Sequence, residues 1–141
     1  MNKPLADQAK KGLTDKSVKT AGRCQHWVRL QIIEAYGARL YRKYFQKYMK
    51  GSAYETMLAF QKSPYAVPVE NGSVIGDILY KGRKTSGKYG HVGIRIAGNK
   101  VAENSSSHIA PGDNDARGIR SYEAFGPYEL IVRLPEPSKL S

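Results

Sequence analysis

The chain has 141 residues, 40% of them hydrophobic, and a single cysteine, which is one domain's worth of sequence and enough to bury a core without cross-links. One cysteine rules out an internal disulfide framework and a multi-cysteine zinc site, three histidines add little to a metal-ligand set, and no apolar run is long enough to cross a bilayer. The formal charge of +11 is concentrated in residues 1–50, which hold twelve Lys or Arg against Asp7, Asp15 and Glu34, so this part is drawn to polyanions such as nucleic acid, an anionic membrane or a bacterial wall. The same cations also suit the outer face of any surface helix.

Residues 1–20 show no apolar period and include Pro4 and Gly12, so a loosely held basic arm or a short irregular helix is expected there. From Cys24 the pattern becomes helical: Trp27, Leu30 and Ile33, with Val28 and Ile32 on an adjoining row, run as far as Gly37. Tyr41, Tyr44, Phe45, Tyr48 and Met49 then stand at i, i+3, i+4, i+7 and i+8, with Arg42, Lys43 and Lys47 on the other side. That spacing predicts an amphipathic helix with a basic back, closed by Gly51, and its tyrosines read as core rather than as a base-stacking platform. Ser52-Ala53-Tyr54-Glu55 fits a capping box ahead of a third helix ending near Gln61.

Pro64 and Pro68 enforce an extended connection, after which short Val- and Ile-rich runs predict strands at 74–80, 91–96, 100–104 and 128–134, with a turn at Ala97-Gly98-Asn99-Lys100. Helices followed by a meander of strands give an α+β order. The organisation expected is an arm over 1–20, one domain over 21–135 and a tail over 136–141. Gly82-Arg83-Lys84-Thr85-Ser86-Gly87-Lys88-Tyr89-Gly90 is basic and glycine-bearing, but no helix follows it and its spacing is not that of a phosphate-binding loop.

Cys24 falls at the predicted helix start, where unpartnered amide N–H groups stabilise a thiolate or an oxyanion beside it. Strand alternation puts His91, Gly93 and Arg95 on one face and Val92, Ile94 and Ile96 on the other. With the apolar face inward, His91 stands at its strand's start beside the space left by Gly93, and with the Cys24 helix end packed across that space the imidazole can take the thiol proton. Pairing through the Gly98-Asn99 turn brings Glu103 and Asn104 near His91, where a carboxylate or an amide oxygen can fix the imidazole tautomer. Neighbours on a strand face opposite ways, so one of the two is expected to do so unless a bulge intervenes. Taken singly, Cys24 reads as a small buried residue and His91 as a surface or capping group; taken as an ordered set they read as a nucleophile and base. His26 lies at i+2 from Cys24 and does not share its face, so it is not expected to be the base. His108, in the Ser105–Gly112 loop, is a weaker alternative for substrate contact.

Four segments carry a resemblance. Gly22-Arg23-Cys24-Gln25-His26-Trp27-Val28, Gly76-Asp77-Ile78-Leu79-Tyr80, Gly90-His91-Val92-Gly93-Ile94 and Val101-Ala102-Glu103-Asn104 resemble the papain-like cell-wall hydrolases, namely the NlpC-type peptidases and the cysteine, histidine-dependent amidohydrolases/peptidases (CHAP). The likeness covers roughly residues 20–134. It implies a papain-like fold with N-terminal helices packed on a small antiparallel sheet, and it makes Cys24 the nucleophile, His91 the base and Glu103 or Asn104 the third polar member. Arg23-Cys24-Gln25 differs from the Asp-Cys-Ser run typical of NlpC-type proteins, and the adjacent Glu-Asn pair differs from CHAP, where one residue usually separates the two. The order Cys then His argues against the circularly permuted acyltransferases of the superfamily.

The implied reaction is attack on an amide of the peptidoglycan stem or cross-bridge through an acyl-enzyme, with part of the oxyanion hole supplied by the Cys24 N–H and with no metal or organic cofactor. The implied partner is bacterial peptidoglycan with its anionic wall polymers, met by a monomer without obligate nucleic acid. Taken as complete, the sequence has no secretory h-region, so synthesis as a soluble cytoplasmic protein is expected, with action on the wall after release or delivery, as for a phage lysin, a virion-borne lysin or an antibacterial effector. Two other readings are a basic nucleic-acid-binding module built on residues 1–50 and a hydrolase fold without activity that only binds wall fragments.

Overall fold

A computed structural model describes all of residues 1–141. Three helices, α1 (Lys3–Lys11), α2 (Cys24–Tyr44) and α3 (Ala53–Gln61), precede the strands β1 (Ala66–Val67), β2 (Ile78–Lys81), β3 (His91–Ala97), β4 (Lys100–Asn104) and β5 (Arg117–Ser121). A one-turn helix α4 (Tyr122–Phe125) and strand β6 (Leu130–Val132) complete the chain. The strands form one antiparallel sheet in the order β1-β6-β2-β3-β4-β5. This is the α+β architecture expected from helices first and strands after.

The N-terminal segment is not a loose arm. Asn2 caps α1, its side chain accepting from Leu5 N at 3.3 Å while its amide donates to Tyr36 Oη at 2.7 Å and Leu134 O at 3.1 Å. Pro4 sits in the first turn, where its missing N–H costs nothing. Leu5, Ala6 and Ala9 are buried, and so short an apolar row of small side chains leaves no visible period in the sequence. Gly12 ends the helix at a junction where a Cβ would lie 2.1 Å from Gln31 Oε1 and where its carbonyl accepts from Trp27 Nε1 at 3.0 Å.

Residues 12–20 are then stapled to the sheet edge. Arg117 donates to Gly12 O (3.1 Å) and Asp15 O (2.8 Å) while pairing with Asp115 through two 3.0 Å bonds. Ala116 N reaches Lys19 O at 2.8 Å. The tail is held as well: Leu140 packs on the core, and Ser141 O accepts from Lys43 Nζ and Tyr44 Oη at 2.6 and 2.9 Å.

α2 is broken at Gly37, whose φ of 82° suits glycine, so the two helical runs read from the sequence lie on either side of one kink. The second run stops at Tyr44, short of Gly51, and passes into a 3₁₀ turn over Gln46–Tyr48. Phe45 turns into the core edge-on to Tyr36 (4.9 Å between centroids) and Tyr65 (5.4 Å), and Tyr48 stacks on Phe60. Ser52 caps α3 as expected, accepting from Glu55 N at 3.2 Å; its hydroxyl also meets Glu55 Oε1. Arg39, Arg42, Lys43, Lys47 and Lys50 are all exposed.

The helices cover one face of the sheet. Trp27, Val28, Ile32, Phe45, Met57 and Phe60 pack with Ile78, Tyr80, Val92, Ile94, Ile96, Ala102 and Val132 in the main core. The opposite face carries a small cluster of Leu79, Val101, Phe125 and Ile131. Gly76-Asp77 is a tight turn into β2 rather than part of the strand: Asp77 Oδ2 accepts Val74 N at 2.8 Å and both carboxylate oxygens take Arg133. Gly76 has a φ of 92° and a Cβ there would lie 2.3 Å from Asn2 O. The strand expected at 128–134 narrows to Leu130–Val132, and β1 and β5 were not expected.

Candidate active site

Cys24 is the first residue of α2. Arg23 precedes it as N-cap without a side-chain hydrogen bond to the helix, so the first-turn amides face outward with no side chain occupying them. Cys24 is half-buried against the main core. Next to it, Gln25 is buried, its Oε1 accepting from Tyr80 Oη at 2.9 Å, which anchors the helix start to β2.

The helix start and the start of β3 open on one cleft of about 500 Å³, lined by Cys24, His26, Ser52, Tyr89, His91, Asn104 and Ser105 among others. Two backbone features fix the approach of His91. Gly90 adopts a φ of 69°, and a Cβ there would sit 2.4 Å from Lys81 O; Tyr89 O accepts from Tyr54 N at 2.9 Å, tying the loop to the start of α3.

His91 Nε2 lies 2.6 Å from Glu103 Oε1. Glu103 is fully buried and sits on β4 opposite Gly93. An ionised carboxylate only accepts, so the N–H belongs to the ring and Nδ1 remains for the thiol side. Glu103 Oε2 takes two further donors, His108 Nε2 at 2.8 Å and Arg120 Nε at 2.7 Å.

Burial opposes a charged His91, but hydrogen bonds and charge attraction from Cys24 and Glu103 outweigh it and lift the ring to about 9. Burial likewise opposes a charged Glu103, and the donors His91, His108 and Arg120 overcome it, holding the carboxyl at about 2. His26 lines the cleft, and burial, Arg29 and Arg23 all push its pKa down, disfavouring its charged form.

Of the four residues singled out in the sequence, Cys24, His91 and Glu103 are brought together as a set. Asn104 points away from the ring: its amide donates to Thr20 O at 3.1 Å and Val18 O at 3.5 Å. Strand alternation is the cause, since Glu103 and its neighbour face opposite sides of β4 and no bulge falls between them. Asn104 is thus a brace for the N-terminal segment, with Oδ1 buried and unpaired.

The space expected beside Gly93 is filled. Phe125 lies against it, with a Cβ on Gly93 falling 3.1 Å from the ring, and stacks at an angle 5.8 Å from His91. α2 lies over the Val92 face, so Cys24 meets His91 at the end of the strand instead of across the Gly93 face. His108 was expected only as a substrate contact, and Arg120 and Phe125 were not singled out. The available signal for Arg120 was weak: in Arg117-Gly118-Ile119-Arg120 a glycine and an arginine alternate with one apolar residue.

No protein-family model matches the chain, and no curated protein matches it.

Proposed function

We propose that this chain is a papain-like cysteine hydrolase, a peptidase or amidase that cleaves an amide bond of the peptidoglycan stem peptide or cross-bridge. The observation that carries the reading is the pairing of Cys24, at an uncapped helix start, with His91 in one cleft, while the buried Glu103 holds the far nitrogen of that ring.

In this reading the attacking form of Cys24 is the thiolate, beside an imidazole that, lifted to about 9, is protonated at neutral pH. The sulfur attacks the amide carbonyl, and the oxyanion is met by first-turn amides of α2, beginning with that of Cys24. Collapse expels the amine, which takes its proton from His91. The ring, now neutral, draws a proton from water as that water attacks the thioester, and the thiolate and the imidazolium are restored. The exposed cations Arg39, Arg42, Lys43, Lys47 and Lys50 would concentrate the enzyme on anionic wall polymers by an attraction that salt weakens.

The test compares the parent with Cys24→Ala on purified sacculi, following turbidity and released muropeptides by mass spectrometry. The parent should release fragments bearing one new amine and one new carboxylate, which also identifies the bond. The variant should release none while remaining folded by circular dichroism and cooperative urea unfolding. Equal release by the two proteins would end the proposal.

A further inference from the structure

The carboxylate that holds His91 has more donors than orienting one ring requires. Glu103 Oε1 serves His91, while Oε2 is shared by His108 Nε2 at 2.8 Å and Arg120 Nε at 2.7 Å. These two donors come from separate elements, the 3₁₀ turn Ser106–His108 and strand β5. The second nitrogen of Arg120 continues outward, Nη2 donating to Ser105 Oγ and Ser107 Oγ at 3.2 Å each. Ser105 and Ser106 form one lip of the cleft. One guanidinium therefore touches both the buried carboxylate and the rim over which a substrate must lie.

Local sequence makes room for this contact. Gly118 stands opposite Glu103 in the β4–β5 register, and a Cβ there would lie 2.5 Å from the His108 ring. Only glycine lets the imidazole lie flat on the strand and reach the carboxylate. Phe125 covers the group, with the Arg120 guanidinium 5.9 Å from its ring, so water does not compete for Oε2.

We propose that Arg120 and His108 are positioning residues that clamp Glu103 against His91 and, through the forked contact of Arg120 with Ser105 and Ser107, lock the cleft lip to the catalytic base. The clamp rests on the hydrolase reading for its purpose but not for its geometry. Without Oε2 donors a buried carboxylate is unsatisfied on one side and either rotates or takes up a proton. Either change releases His91, and the lip loses its anchor together with it.

The experiment is the titration of His91 followed by imidazole NMR in the parent, Arg120→Leu and Arg120→Lys, alongside hydrolysis of sacculi. The titratable and charged groups around His91 are Cys24, Glu103, Lys81, Arg120 and, through Glu103, His108. If Arg120 acted only as a nearby positive charge, its loss would raise the His91 midpoint by removing repulsion. Loss of the clamp lowers it, and about one pH unit is expected, with a roughly tenfold fall in the rate at saturating substrate. Arg120→Lys, which keeps one donor for Glu103 but lacks the fork, should recover the midpoint and raise KM. A folded Arg120→Leu whose His91 midpoint is unchanged or raised overturns the proposal. Should Arg120→Leu fail to fold, the parent still decides: His108 must show an exchange-protected Nε2–H resonance between pH 6 and 8, and its absence overturns the clamp. A parent that releases nothing from sacculi defeats the hydrolase reading, whereas the titration still tests the clamp.

Discussion

Replacing Glu103 by Gln keeps the shape of the side chain and removes its charge. His91 is raised from 6.5 to about 9 against the pull of burial, a net 2.5 units or about 3 kcal/mol of preference for the charged ring. The opposing shift of Glu103 to about 2 is in large part the same interaction seen from its other end and is counted once. Hydrogen bonds and charge attraction from Cys24 and Glu103 together supply the lift. Removing Glu103 takes away its hydrogen bond and its charge attraction while burial stays, so the His91 midpoint should fall by about one unit or more.

The sign of the stability change follows. A group with a raised folded pKa stabilises fully below its unfolded value, here 6.5, and that stability is lost as pH rises through 9. Glu103→Gln should therefore cost about 2 kcal/mol more at pH 6 than at pH 10. On the acid side the depressed carboxyl stabilises above 4.5 and loses its contribution as pH falls toward 2, so the parent should outlast the variant down to that range. Urea denaturation of both proteins at pH 4, 6, 8 and 10 measures the difference. A cost that is the same at pH 6 and pH 10 would refute the assignment of Glu103 as the partner that charges His91.

Two further outcomes follow from contacts outside the cleft. Arg117→Ala removes a side chain only 6% exposed that ties Asp115, Gly12 O and Asp15 O together; it should cost about 2 kcal/mol and open residues 13–20 to trypsin at Lys16 and Lys19, visible by mass spectrometry of a timed digest. Phe125→Ala should cost about 3–5 kcal/mol in thermal or urea unfolding, because the ring is fully buried against Leu79, Val101 and Ile131, and it should also speed hydrogen exchange at the His91 Nε2–H by admitting water to Glu103.

Much of the site was legible because its chemistry is local in sequence. The cysteine at a helix start, the histidine at a strand start and a glutamate one hairpin later are each fixed by a single element and its period, and the Gly98-Asn99 turn closes the hairpin that joins two of them. The capping box at Ser52 was readable for the same reason. What stayed hidden depends on partners far along the chain. Between a loose arm and a short helix the sequence does not decide for α1, because its buried row of Leu5, Ala6 and Ala9 is too short and too small to raise a period, and its order comes from Asn2 reaching Tyr36 and Leu134. β5 was missed because an edge strand reading Arg-Gly-Ile-Arg-Ser has its single apolar residue, Ile119, 46% exposed, so no alternation marks it.

The choice between Glu103 and Asn104 shows how far alternation alone can go. Spacing places both residues near His91, and the two-residue period says that one of them must turn away, yet it does not say which. The register settles it. Gly93 pairs with Glu103 and Gly118 pairs with Glu103 on the other side, so the carboxylate is flanked by two strand positions without side chains. His108 lies over Gly118 and Phe125 over Gly93, so the donors of His91, His108 and Arg120 reach the carboxylate between them, while Asn104 meets Val18 and Thr20 instead. A carboxylate with glycine on both flanking strands and three nitrogen donors on its two oxygens is held from both sides. The same two glycines that deny the sheet packing area at this point are what make room for a buried charge.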